Sequence, residues 1–86
     1  MITRKNVADT LLSYLHHHLT LKELVHWSES QILLGGYESG YEELIRNALG
    51  KLAAADVQAF GLLWEDCEQI MSSLGYKLNI DAALVA

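Results

Sequence analysis

Residues 39–52 read Ser39-Gly40-Tyr41-Glu42-Glu43-Leu44-Ile45-Arg46-Asn47-Ala48-Leu49-Gly50-Lys51-Leu52, the cleanest periodic stretch of the chain. Tyr41, Leu44, Ile45, Ala48, Leu49 and Leu52 recur at intervals of three and four, the spacing that lines up one face of an α-helix. Ser39-Gly40-Tyr41-Glu42 has the capping-box pattern, a hydroxyl residue followed three positions later by Glu. Glu42 and Arg46 stand four apart in the favourable order, a pairing worth about 0.2–0.5 kcal/mol on a helix. The segment predicts an amphipathic helix.

The flanking segments follow the same pattern. Thr20-Leu21-Lys22-Glu23 is another capping box and predicts a helix running to Leu34, ended by Gly35-Gly36. Its inner face is Leu21, Leu24, Val25, Ser28 and Ile32, with Trp27 beside it. Thr3 can cap a first helix over residues 4–18, in which Val7, Ala8, Leu11, Tyr14, Leu15 and Leu19 share an arc. Downstream, Asp56 can cap a helix from Val57 to Leu74, closed by Gly75. Phe60, Leu63, Trp64, Cys67, Ile70, Met71 and Leu74 would cover about 160° of its wheel, against ~100° for an ordinary surface helix. Gly61 costs that helix about 1 kcal/mol relative to alanine. The alternative makes 56–62 a loop or short extended piece and starts the helix near Leu63. Tyr76 to Ile80 alternates weakly, as an extended tail would.

The fold expected is all-α: one domain over 1–86, a compact bundle of four short helices, the last broken near Gly61, with a short extended C-terminal tail. The chain has 86 residues, 51% of them apolar and 20% charged, with no proline and one cysteine. That length allows one domain with a thin core. The composition is too apolar for disorder. Cys67 alone cannot form an internal disulfide, and no apolar run approaches the ~20 residues of a membrane span. Residues 1–19 lack the cleavage site of a signal peptide, and Asp9 interrupts their apolar stretch. A cytoplasmic protein with a reduced thiol is expected.

Two segments centred on tryptophan, residues 19–29 around Trp27 and 56–68 around Trp64, resemble segments of small bacterial helical proteins with no assigned activity. The resemblance extends over most of the chain. It implies a fold unit rather than a chemistry. It also implies a hydroxyl residue capping a helix just before the second tryptophan, where this chain has Leu63.

Candidate chemical groups are few. His16-His17-His18 are consecutive, so on a helix they point about 100° apart and cannot share one metal. They can instead place partial positive charge at a helix C-terminus, or take up metal at a frayed end. Glu23 and His26 have the Glu-x-x-His spacing of di-iron bundles, without the second copy and further glutamates that such sites use. His26 should point outward. Cys67 falls on the apolar face of the last helix, the setting of an inert buried thiol. The Gly35-Gly36 and Gly40 region lacks the lysine of a phosphate loop.

Net charge is −5, and it is unevenly spread. Residues 1–22 carry three cations against Asp9, and the remainder carries three cations against ten carboxylates. That balance disfavours binding to nucleic acid. A helix-turn-helix regulator would need a basic recognition helix, and the second helix offers only Lys22. The acidic clusters Glu38/Glu42/Glu43 and Glu65/Asp66/Glu68 are either solvated helix surface or a docking patch for a basic partner. Leu33, Leu62 and Leu12 fall outside the inner faces, and a contiguous patch of such residues would point to a partner or a homodimer. The expected function is therefore that of a small acidic protein-binding module: an adaptor, regulator or antitoxin/immunity-like protein. It would not be an enzyme, would need no cofactor, and would bind neither nucleic acid nor membrane. Those six carboxylates would steer the partner. The competing expectation is a histidine-dependent metal-binding protein.

Overall fold

The computed structural model describes residues 1–57 and 62–78. The described residues contain four α-helices: α1 (Arg4–Leu15), α2 (Leu21–Leu34), α3 (Glu42–Ala53) and α4 (Trp64–Ser73). A 3₁₀ turn, Ala55–Val57, follows α3. The expected all-α bundle is the observed fold.

Local chemistry sets the helix starts. Thr3 accepts the Asn6 N–H at 3.1 Å while the Asn6 side chain accepts the Thr3 N–H at 2.9 Å. Thr20 and Glu23 make the same reciprocal pair at 3.1 and 2.9 Å. Each box satisfies two N–H groups that a helix start would otherwise leave unpaired.

The expected box at Ser39 does not form. Tyr41 precedes α3 and makes no side-chain cap, and Ser39 sits in a turn instead. That turn is closed by the Tyr41 N–H donating to the Glu38 carbonyl at 3.1 Å. Gly40, its third residue, has φ 86, a value open to glycine at little cost. The Tyr41 ring lies beneath the Arg4 guanidinium, 3.5 Å from the ring centroid, a contact 37 positions away in sequence.

The first helix stops three residues short of expectation, at Leu15. His17 has φ 64 and is the only non-glycine residue of the described chain at positive φ. Its N–H donates to the Tyr14 carbonyl at 3.0 Å, and the His18 N–H donates to that of Ser13 at 2.8 Å. These are the two bonds of a Schellman stop. α4 ends the same way, with Gly75 at φ 91 and the Tyr76 N–H donating to the Met71 carbonyl at 2.9 Å. The histidine run is thus one complete helix terminus.

The last helix follows the shorter alternative, starting at Trp64. Leu63 stands at its N-cap, where a hydrocarbon side chain cannot accept the Asp66 N–H. The return half of the box is present: Asp66 accepts the Leu63 N–H at 3.0 Å. Asp56 and Val57 lie in the 3₁₀ turn, and Leu62 forms a bend. Phe60, Gly61 and the tail beyond Leu78 lie outside the described residues. Tyr76 to Leu78 have no regular secondary structure.

The core draws on every helix. Leu11, Leu24, Ile45, Leu49, Leu52, Ile70, Met71 and Leu74 are fully buried. Each such side chain contributes about 1.5–3 kcal/mol by leaving water. α2 packs most extensively against α3. Ser28, buried on the inner face of α2, donates to the Leu24 carbonyl at 2.9 Å, so no polar group is stranded there. The N-terminal segment is tied to the α2–α3 connection by a parallel bridge between Ile2 and Tyr37. In it the Ile2 N–H donates to the Gly36 carbonyl, and the Glu38 N–H donates to the Ile2 carbonyl.

Candidate functional site

The six acidic candidates fall on two helices and one connection. Glu38, between α2 and α3, is engaged inside the fold. Its Oε1 accepts from the Arg4 backbone N–H at 3.1 Å and from Arg4 Nε at 3.2 Å. The hydrogen bonds from the Arg4 side chain and backbone hold the Glu38 carboxyl below its ordinary pKa. Glu42 and Glu43 are exposed in the first turn of α3, where the helix dipole favours carboxylates. The expected Glu42–Arg46 ion pair is absent among the described residues. Arg46 instead lies over the Tyr37 ring, 5.7 Å from its centroid. Asp66 is taken up by the start of α4. Glu65 and Glu68 are exposed and border an open groove with Gln69, Tyr76 and Lys77.

His16, His17 and His18 are exposed, and the rings of His16 and His18 meet edge to face with centroids 6.1 Å apart. No group of three His, Cys, Asp or Glu side chains capable of holding a metal ion occurs among the described residues. Glu23 is committed to the Thr20 cap, and His26 is exposed. Cys67 is buried, and that burial, followed by the nearby Asp66 charge, pushes its thiol pKa up. A protonated, covered thiol is a poor nucleophile.

The broad apolar arc expected on the last helix is only partly consumed within the chain: Leu63 is 48% exposed, Trp64 is half-buried, and Phe60 lies outside the described residues. Cys67, Ile70, Met71 and Leu74 are buried, and Leu62 packs against the core rather than standing free. Leu12 does the same. The most exposed apolar residues lie elsewhere. Leu33 is 87% exposed and Leu34 77%. Ile32, expected on the inner face, is 39% exposed, as is Leu44 of α3. The Ile2–Tyr37 bridge brings Met1, itself 84% exposed, beside Gly36 at the same end. Sequence reasoning found Leu33 and missed the rest. The usable signal was the run Ile32-Leu33-Leu34, because three consecutive helical residues span too wide an arc to share one buried face.

No helix among the described residues is long and apolar enough to cross a membrane. Comparison of the chain with protein-family models, curated proteins and solved structures gives no match.

Proposed function

We propose that this chain is a small acidic protein-binding module of the cytoplasm, an adaptor, regulator or antitoxin/immunity-like protein that works by surface complementarity rather than catalysis. The observation that carries this reading is the exposed end of α2, where Leu33 and Leu34 stand in water. Apart from Met1, no other large apolar residue among the described ones is more than half exposed, so the leucines left out on the final turn of α2 are available to another surface. Contiguous exposed apolar groups of this kind mark interaction sites in many proteins. The net charge of −5 supplies long-range attraction for a basic partner, which raises association rates.

Affinity capture tests the proposal. Wild-type chain and the double variant Leu33→Asn/Leu34→Asn serve as baits in extracts of the cells that make the protein. One protein retained at near-stoichiometric amount by the wild type and lost with the variant is the expected result. Identical captured sets from both baits would remove Leu33 and Leu34 from the interface and leave the proposal without its carrying observation.

A further inference from the structure

We infer that the exposed end of α2 docks a basic amphipathic segment of another protein, with Leu33 and Leu34 as apolar anchors and Glu29, Glu42 and Glu43 as the charged rim. This rests on the binding function proposed above and adds the chemistry of the partner.

Three observations choose the occupant. The first is charge. Glu29 precedes Leu33 by one helical turn, and Glu42 and Glu43 open α3 just beyond the turn that Gly40 makes. All three are exposed and have no ion pair among the described residues. Arg4 is bound to Glu38 and stacked on Tyr41, while Arg46 is exposed, lies over Tyr37 and pairs with no carboxylate among the described residues. Glu29 thus edges Leu33 directly, and Glu42 and Glu43 carry unpaired charge at the start of α3.

The second is the charge of the competing occupant. A second copy brings the same net charge of −5, and that repulsion opposes association. A lysine- or arginine-flanked apolar stripe meets Leu33 and Leu34 with attraction instead.

The third is shape. The anchors stand on the last turn of a helix that Gly35 ends at φ 67, and the connection that follows is pinned by the Ile2–Tyr37 bridge. The surface is therefore held in place before binding, which lowers the entropic cost of association. An amphipathic helix offers a narrow apolar stripe between charged edges, the complement of leucines rimmed by glutamates.

The test uses the intact chain and a synthetic helical peptide with leucines spaced i, i+3, i+4, i+7 and lysines elsewhere. Calorimetric titration should show saturable 1:1 binding that weakens at least about tenfold between 50 and 500 mM salt. Leu33→Asn/Leu34→Asn, which changes no charge, should weaken it a further tenfold or more, with circular dichroism confirming the fold. A matched peptide with glutamates in place of lysines should not bind. Three results would overturn the inference. The variant could bind the lysine peptide as well as wild type, placing the contact on another acidic surface. The glutamate peptide could bind equally. Light scattering could show a dimer at micromolar concentration that the variant abolishes, making a second copy the occupant. If the peptide fails while affinity capture still depends on Leu33 and Leu34, the basic partner is wrong and the binding function stands.

Discussion

Glu38 grips Arg4 twice with one oxygen: Oε1 accepts both the backbone N–H and the side-chain Nε of Arg4, at 3.1 and 3.2 Å. The pair joins the first residue of α1 to the connection between α2 and α3. Because the accepted N–H belongs to the first turn of α1, the carboxylate also sits where the helix dipole favours negative charge. Together with the Tyr41 ring beneath the guanidinium, it fixes the end of the molecule that carries Leu33 and Leu34.

That relationship gives a pH dependence with a definite sign. Glu38 has a lower pKa folded than its ordinary value of 4.5. Its contribution to stability is present above that value and is lost as the pH falls through the folded pKa. Glu38→Gln should therefore lower the urea midpoint at pH 7, and the gap between variant and wild type should close in acid. An undiminished gap at pH 2 would show that lost packing, not the charged pair, produces the effect.

The histidine run makes a second prediction. His17 adopts a left-handed conformation that costs a residue with a Cβ about 1–2 kcal/mol. His17→Gly should raise stability by about 0.5–1 kcal/mol, part of the gain being offset by the greater freedom of glycine in the unfolded chain. Gly75→Ala, at φ 91 in the matching stop of α4, should lower it by about 1–2 kcal/mol. Denaturant unfolding measures both, and a His17→Gly variant no more stable than wild type would contradict the assigned backbone.

Leu63 offers a third. Its backbone already has the extended N-cap conformation, and Asp66 already accepts its N–H. Leu63→Thr would let a hydroxyl accept the Asp66 N–H and complete the box. The expected gain is about 0.5–1 kcal/mol, because the leucine removed is half exposed and buries little. A loss of 1 kcal/mol or more would mean that Leu63 packs more closely than its exposure indicates.

Cys67 supplies a fourth. A buried thiol with a raised pKa should react with a disulfide reagent at least about tenfold more slowly in the native protein than in urea. Labelling at the rate of the unfolded chain would place Cys67 at the surface and displace α4.

Much of this fold was legible because its signals are local. Thr20 and Glu23 are three residues apart and cap each other, and Leu24, Ile45, Leu49 and Ile70 follow the helical period into the core. The parts that were not legible depend on distant residues or on an unusual backbone. Ser39 is not at the cap of α3 because it lies in the turn that the left-handed Gly40 makes, and Tyr41 stands at the N-cap. Arg46 leaves Glu42 for Tyr37, a residue of the preceding connection. The early end of α1 was hidden because His17, not glycine, takes the left-handed position. The candidate surface was half legible for the same reason. Periodicity places Leu33 outside and the run Ile32-Leu33-Leu34 exposes its neighbour, but Met1 reaches this end only through the bridge at Ile2.

In the proposed complex the apolar end of α2, rather than the acidic face of α4, meets the partner. A photoreactive residue placed at position 33 or, separately, at position 68 tests this most directly, since both sites are exposed and neither supports the core. After irradiation in the cells that make the protein, position 33 should yield one defined heavier adduct and position 68 should yield none. An adduct from position 68 with none from position 33 would contradict the claim and move the interface to the groove bordered by Glu65 and Glu68.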